Sequence, residues 1–174
     1  RTRISGGSER GRPIHSRWGT GLRPTSERVR AAMFSILGPG SMEGLRVLDL
    51  YAGTGILGVE ALSRGASWVD FVESHSGRCR DIRDNLRDIG HEVRSEVHRA
   101  RVENMLGELQ DGYDLVFADP PYDMDPWDGI FERLGEGKAL SENARVVAEH
   151  YFKRDLPERS GRLVRATVRR YGDT

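Results

Sequence analysis

Short apolar runs alternate with amphipathic stretches along most of the chain, which predicts strands that alternate with helices. The predicted strands are Leu45–Tyr51, Trp68–Val72, Glu92–His98, Tyr113–Ala118, Val146–Ala148 and Leu163–Val168. This order of elements predicts an α/β domain.

Apolar residues at helical spacing predict the intervening helices. The first has an apolar stripe of Val29, Ala32, Met33, Ile36 and Leu37, with Arg28 and Arg30 off that stripe. Thr25 or Ser26 is predicted to cap its N-terminus, and Gly38-Pro39-Gly40 to end it. One later helix is predicted to end near Gly65, and the next to run from a cap at Ser74 or Ser76 to Gly90. A third is predicted to cover Val102–Leu109, and a fourth to bury Trp127, Ile130, Phe131 and Leu134.

The glycine turn after the first strand is the most informative stretch of the sequence. Asp49-Leu50-Tyr51-Ala52-Gly53-Thr54-Gly55 runs from an apolar strand into a helix that carries Gly58 one turn later. This G-x-G-x-x-G pattern in a strand–turn–helix setting is typical of a nucleotide-type cofactor site. The Asp49 carboxylate favours a cationic ligand such as S-adenosylmethionine over the pyrophosphate of NAD.

Glu73 closes the second strand, twenty residues after Gly53. A carboxylate at this place in a Rossmann-like site binds ribose hydroxyls, so we assign Glu73 to the cofactor.

Cys79 is the single cysteine and falls on a predicted apolar helix face with Ile82 and Leu86, where it is expected to belong to the core. The histidines show no metal-ligand spacing, so no metal site is predicted.

A second informative stretch, Asp119-Pro120-Pro121-Tyr122, follows the fourth strand directly. The prolines stiffen the loop and carry no N–H, so the loop offers two acceptors, the Asp119 carboxylate and the Pro120 carbonyl. Tyr122 adds a flat ring beside them. A planar group that bears an –NH₂ fits this arrangement, and Asp119, Pro120 and Tyr122 are therefore the predicted catalytic residues. The loop Asp123–Pro126 is expected to cover the site.

Charge separates the two ends of the chain from its middle, although the net charge over 174 residues is zero. Residues 1–30 carry eight arginines against two glutamates, and residues 150–174 carry seven basic against three acidic residues. Residues 1–22 show little apolar periodicity, so we predict a loosely held arm with a short hairpin around Gly19-Thr20-Gly21. Basic ends on an acidic body indicate a polyanion partner. The predicted RNA contacts are Arg10, Arg12, Arg17, Arg23 and Arg28, although Arg28 and Arg30 could instead pair with acids.

Composition limits the class of protein. A mean hydropathy of −0.58 and a charged fraction of 31% indicate a soluble protein. The sequence shows no membrane-length apolar run and no signal peptide, and its lone cysteine fits a reducing cytoplasm. We therefore expect a cytoplasmic monomer with an RNA-contacting segment at 1–40 and a catalytic domain at 41–174.

The glycine turn and Asp119-Pro120-Pro121-Tyr122 together resemble class I methyltransferases that modify exocyclic amines. Adding Arg23–Arg30, Glu60–Ala66 and Tyr171–Thr174 narrows the resemblance to the RsmD family, over essentially the whole chain. That resemblance implies S-adenosylmethionine as cofactor and the N2 amine of a guanine in 16S rRNA, or in the small ribosomal subunit particle, as target. It also implies a mostly parallel, seven-stranded Rossmann-like sheet of order 3-2-1-4-5-7-6. Its cofactor residues are Asp49, Tyr51, Ala52, Gly53, Thr54, Gly55 and Glu73.

The sequence departs from the family at two points. Arg99 stands where many relatives have an Asp or Asn that accepts from adenine, so backbone groups near Ala100 are expected to hold adenine instead. The family continues past Thr174 into a final strand, so the seventh strand is expected to be missing or to lie beyond this sequence. Alternatives are methylation of another exocyclic amine, including adenine N6 of DNA, a non-catalytic RNA-binding module, and an NAD(P)-dependent oxidoreductase.

Overall fold

Five parallel strands form the central sheet of the protein, a computed structural model that describes residues 2–18, 25–109 and 112–174. The strands are β1 (Arg46–Leu50), β2 (Trp68–Glu73), β3 (Ser95–Arg99), β4 (Tyr113–Ala118) and β5 (Leu140–Ala148). They lie in the order β3-β2-β1-β4-β5, and every neighbouring pair is parallel. The predicted α/β fold is confirmed, and the first five positions of the implied strand order are as observed.

Helices cover both faces of this sheet and give it two apolar cores. The helices are α1 (Glu27–Leu37), α2 (Ile56–Ser63), α3 (Ser76–Asp88), α4 (Val102–Met105) and α5 (Trp127–Glu136). Side chains of α1, α2 and α3 pack with Val47, Phe71 and Phe117 on one face, while α4 and α5 pack with Leu48 and Val116 on the other. Cys79 is fully buried in the first core, as predicted. None of the helices in the described residues is long and apolar enough to cross a membrane.

The N-terminal segment is packed against the body, and the prediction of a loose arm is wrong for residues 2–17. Ile4 and Ile14 are only 2% and 4% exposed and belong to the same core as β1 and β2. The backbone N–H of Ser8 donates to Ser63 O at 2.8 Å, which ties the segment to the end of α2. Two isolated isoleucines produce no periodicity, so the sequence pattern did not reveal this packing. The hairpin predicted around Gly19-Thr20-Gly21 lies outside the described residues.

The buried face of α1 also differs from the prediction. Ile36 is 52% exposed, whereas Phe34 and Arg30 are buried. The cause is Glu60 on α2, a fully buried carboxylate whose Oε1 accepts from Arg30 Nε at 3.1 Å. A buried charge needs a partner of opposite sign, so α1 turns Arg30 inward and its apolar stripe is displaced.

The segment after β5 does not extend the central sheet within the described residues. The predicted strand Leu163–Val168 shortens to β7 (Leu163–Val164), which pairs antiparallel with β6 (Arg159–Ser160) around Gly161 in a separate hairpin. The seven-stranded sheet implied by the resemblance is therefore a five-stranded sheet plus this hairpin. The hairpin packs so closely on α5 that a Cβ added at Gly135 would lie 2.2 Å from Ser160 O.

Candidate active site

A cavity of about 830 Å³ opens at the carboxyl ends of the central strands. It brings together all of the predicted catalytic and cofactor residues except Gly55, which lies at the N-cap of α2 just outside the lining. Ligands of open α/β sheets bind at this edge, where the strand order reverses. In this sheet the reversal falls between β1 and β4.

The glycine turn owes its shape to backbone angles that other residues adopt at a cost. Gly53 and Gly55 have φ of 60° and 80°, in the left-handed region where glycine meets no steric penalty. Gly58 serves packing instead, because a Cβ there would lie 2.3 Å from a ring atom of Phe71. Tyr51 also has a positive φ, 56°, and it lines the cavity at the end of β1. Strained backbone of this kind is common beside ligands.

Asp49 is a buried acid, 2% exposed, at the base of the cavity. Its Oδ2 accepts the backbone N–H of Gly58 at 3.1 Å, which links β1 to the first turns of α2. Burial raises the pKa of Asp49 well above its usual value; the Gly58 amide lowers it, and the charges of Asp119 and Glu73 raise it further. A cationic ligand beside Asp49 would reverse this shift, so the site favours such a ligand.

Glu73 joins the two turns that border the cavity. Its Oε1 accepts from Gly53 N at 3.0 Å and its Oε2 accepts from His75 N at 2.6 Å. His75, rather than the predicted Ser74 or Ser76, caps α3, because its Nδ1 accepts from Gly77 N at 3.1 Å. The Glu73 carboxylate thus holds the glycine turn in register with the start of α3, and its assignment to ribose stays a prediction.

Asp119 lies directly after β4, at the opposite side of the cavity from Glu73. Its Oδ2 accepts from the Thr25 hydroxyl at 3.0 Å. Burial raises the pKa of Asp119, and hydrogen bonds with the side chains of Glu149 and Thr25 oppose that rise. The next residues, Pro120 and Pro121, line both this cavity and a second one of about 180 Å³.

Tyr122 presents a half-exposed ring where the two cavities meet. It is 38% exposed, lies 5.8 Å from the Tyr151 ring between centroids, and hydrogen-bonds the Thr174 hydroxyl through its own hydroxyl. The second cavity continues beneath it to Trp127 and His150. The Tyr122 ring thus borders both cavities, and it lines the larger one together with Asp119.

Sequence reasoning missed two residues of the site. It did not predict that Thr25 contacts Asp119, and it did not consider Glu149. Thr25 was considered as a helix cap, but Ser26 caps α1 by accepting from Val29 N, which leaves the Thr25 hydroxyl directed at Asp119 and Glu149. Glu149 follows β5 as Asp119 follows β4, and it is only 9% exposed. An acid at the carboxyl end of a second neighbouring strand was the signal that could have found it.

The charges that line the large cavity are mainly negative. Six carboxyl groups face two guanidinium groups there: Asp49, Glu73, Glu103, Asp119, Asp123 and Glu149 against Arg78 and Arg101. Burial, together with the charge of Glu103, raises the pKa of Tyr51 to about 12. This lining favours cations and hydrogen-bond donors, and it opposes a pyrophosphate.

The arginines predicted to contact RNA lie in different surroundings. Arg10 and Arg28 are exposed, whereas Arg12 donates to Asp88 O at 2.7 Å and Arg17 pairs with Asp81 and Asp84. Arg23 lies outside the described residues. Arg28 and Arg30 were expected as possible partners for acids, and Arg30 forms an ion pair with Glu60.

One other polar cluster, which residue spacing did not reveal, lies on β2 and β3. Asp70, Glu96 and His98 place their possible metal-binding atoms within 4.8 Å of one another. Asp70 uses both oxygens within the protein, however, accepting from the Tyr113 hydroxyl and bonding His98 Nε2 at 2.8 Å. These contacts make the cluster a hydrogen-bond network of the β2–β3 edge.

Comparison with known proteins places the chain in a family. The sequence profile described as "Conserved hypothetical protein 95" matches residues 2–174. The chain belongs to this family, which corresponds to the RsmD family. The resemblance stated from the two motifs is therefore confirmed.

Relatives with names and structures support the same placement. The Bacillus subtilis protein YlbH, provisionally named an rRNA methyltransferase, is 34% identical and covers 99% of this chain and 95% of its own. Ribosomal RNA small subunit methyltransferase D of Escherichia coli is 30% identical over 89% of this chain and 77% of its own. A hypothetical protein of Thermus thermophilus superposes with a TM-score of 0.83 at 28% identity, covering 99% and 95% of the two chains.

Proposed function

We propose that this RsmD-family protein is an S-adenosylmethionine-dependent methyltransferase that acts on the exocyclic N2 amine of a guanine in 16S rRNA. The observation that carries the proposal is the shared cavity. It joins the glycine turn and Asp49, suited to a cationic nucleotide, with the rigid acceptor loop Asp119–Tyr122. The names of the Escherichia coli and Bacillus subtilis relatives support rRNA as the class of substrate.

The cofactor end of the cavity fits S-adenosylmethionine on two grounds. Asp49 is a buried acid whose neighbours are other acids, so an ammonium or sulfonium group would relieve their repulsion. Glu73, with its carboxylate already fixed by Gly53 N and His75 N, presents its remaining lone pairs to ribose hydroxyls. When bound, the cofactor supplies a methyl group activated by positive sulfur.

The amine end of the cavity is built to align and polarise a base. Asp119 and the Pro120 carbonyl accept hydrogen bonds from the two N–H groups of the amine, while the base stacks on Tyr122. Acceptors fixed in this way stabilise the positive charge that develops on the amine nitrogen, and they need no rearrangement during the step. The Asp119 carboxylate also takes up the proton that the methylated amine releases. Because a paired base cannot enter the cavity, the target is expected to be splayed out of the RNA.

Residues 1–40 are assigned to RNA contact in this proposal, and residues 41–174 to catalysis, in a cytoplasmic monomer. Arg10 and Arg28 are the best phosphate contacts among the described residues, because Arg12 and Arg17 already bind the body. Removal of one arginine–phosphate interaction should reduce the slope of log K against log salt by about 0.7. Since removing residues 1–17 would also remove Ile4 and Ile14 from the core, single substitutions provide the cleaner test.

The test for the phosphate contacts compares Arg10→Ala and Arg28→Ala with Arg133→Ala, which changes an exposed arginine on α5. RNA binding is measured at several salt concentrations for each variant. The first two variants should show shallower slopes and the third an unchanged one. Identical slopes in all three would exclude these contacts.

The test for the reaction is transfer of labelled methyl from S-adenosylmethionine to bacterial small-subunit particles and to the naked rRNA. Asp119→Ala should lower the rate by about 10²–10³, as for removal of one preorganised group, while S-adenosylhomocysteine still binds. Tight binding of NAD without binding of S-adenosylhomocysteine would replace the proposal with an oxidoreductase. Label in duplex DNA but not in RNA would replace it with DNA methylation.

A further inference from the structure

Thr25 bridges two carboxyl groups at the amine end of the cavity. Its hydroxyl oxygen lies 3.0 Å from Asp119 Oδ2 and 3.2 Å from Glu149 Oε2. Thr25 and Glu149 are 7% and 9% exposed and Asp119 is partly buried, so the protein shields most of this cluster from bulk solvent. The three side chains come from the start of α1 and the ends of β4 and β5.

Counting protons restricts what this cluster can be. A hydroxyl has a single proton, so Thr25 cannot donate fully to both carboxyl oxygens, and the side chains of Asp119 and Glu149 also hydrogen-bond each other. A carboxyl group can donate only when it is protonated. The geometry therefore requires one proton on the pair Asp119 and Glu149, in addition to the proton of Thr25.

The proton is assigned to Glu149 because the Thr25 hydroxyl, which can donate only once, has its shorter contact with Asp119 Oδ2. Burial raises the pKa of Asp119, and the hydrogen bonds from the side chains of Glu149 and Thr25 oppose that rise by favouring its ionised form. The backbone of Glu149 is also held beside Asp119, since its N–H donates to the O atom of Ala118, the residue before Asp119, at 2.9 Å.

We propose that Thr25 and Glu149 are positioning residues for Asp119. Glu149, held as a carboxylic acid, and the Thr25 hydroxyl both donate to the Asp119 carboxylate. These two hydrogen bonds keep Asp119 ionised and fix its carboxylate at the cavity. The use of Asp119 as amine acceptor rests on the proposed function, but the two hydrogen bonds need no substrate.

Other titratable groups also line the cavity and enter any pH profile. In the described residues they are Asp49, Tyr51, Glu73, Arg78, Arg101, Glu103, Tyr122, Asp123 and Tyr171. Among them, Asp49 has a pKa that burial raises and that the charge of Asp119 raises further. The experiment therefore compares the pH dependence of the rate between variants and wild type. It does not assign one limb of a single pH–rate profile to one group.

The decisive pair of variants is Glu149→Gln and Glu149→Ala. Glutamine has the shape of the protonated acid and an N–H that donates, so single-turnover methyl transfer should stay within about threefold of wild type. Alanine removes the donor and should lower the rate roughly tenfold, the effect of about one lost hydrogen bond. Glu142→Gln, an exposed change on β5, the strand that Glu149 follows, is the matched control and should have no effect.

Thr25 is tested by Thr25→Val and Thr25→Ser. Valine removes the donor to Asp119, so the acid limb of the rate profile should move to higher pH, and serine should restore it. Thr167→Val, at an exposed threonine, is the control. A purely structural role would lower stability in the valine variant without moving the pH limb.

A substrate-free measurement separates this inference from the proposed function. Carboxyl ¹³C NMR should show Glu149 still protonated at a pH where a glutamate in a reference peptide is ionised, and Asp119 titrating at higher pH in Thr25→Val than in wild type. Loss of turnover in Glu149→Gln, or a Glu149 that ionises together with the reference peptide, would overturn the inference. Absence of methyl transfer by wild type would overturn the proposed function, while the NMR result would still decide the two hydrogen bonds to Asp119.

Discussion

Replacing Asp49 by asparagine should have opposite effects on cofactor affinity and on the stability of the free protein. The asparagine carbonyl still accepts from Gly58 N, a contact of 3.1 Å in the present structure, so the turn keeps its shape. Only the negative charge is lost. A hydrogen bond to a charged group contributes about 1.5–3 kcal/mol, so the affinity for S-adenosylhomocysteine should fall by roughly 10- to 150-fold.

The pH dependence of binding has a definite sign. Burial raises the pKa of Asp49 in the free protein, and the ammonium group of the ligand should lower it in the complex. Binding therefore releases a proton where the two pKa values differ, and affinity weakens as pH falls through the raised pKa of the free protein. In Asp49→Asn this dependence should disappear.

Stability should change in the other direction. The pKa of Asp49 is higher in the folded than in the unfolded protein, so its folded-state advantage exists at low pH and is lost as pH rises through the folded value. At neutral pH without ligand, Asp49→Asn should therefore melt at a higher temperature than wild type. Calorimetric titration across pH, with thermal unfolding in parallel, measures both effects. Unchanged affinity together with a lower melting temperature would refute the assignment of Asp49 to a cationic cofactor.

Three further changes test the fold and the base-binding ring. Glu60→Ala leaves the buried Arg30 without its partner and should cost about 3–5 kcal/mol in urea unfolding; a loss below ~1 kcal/mol would show that the pair is not needed. Gly58→Ala puts a Cβ 2.3 Å from Phe71, so overpacking should cost about 1–3 kcal/mol in the same assay, and wild-type stability would exclude a packing role. Tyr122→Ala should weaken RNA binding by about 1–3 kcal/mol through lost stacking, whereas Tyr122→Phe should retain it; equal losses would implicate the hydroxyl instead.

Local patterns were sufficient to predict the parts of the fold that depend on neighbouring residues. The strand Tyr113–Ala118 was predicted with its observed bounds, and the turn at Gly53 and Gly55 lies where its strand–turn–helix setting indicated. Each of these depends on residues a few positions apart. The strand order came from the family resemblance, since spacing in the sequence does not specify it.

Long-range polar contacts could not be predicted in the same way. Thr25 meets Asp119 and Glu149 across 94 and 124 positions of sequence, and no local pattern encodes such a meeting. The same holds for Arg30, which looks like a solvated helix residue until Glu60 is placed beneath it. Charged residues in a sequence are usually exposed, so the buried pair ran against the general rule.

The identity of the methylated atom is the central claim, and nucleoside mass spectrometry tests it most directly. Small-subunit rRNA treated with the protein and labelled S-adenosylmethionine is digested to nucleosides, and the labelled species is identified against synthetic standards. The account predicts label in N2-methylguanosine, and none when Asp119→Ala replaces wild type over the same short reaction time. Label in N6-methyladenosine or in any other nucleoside would contradict it.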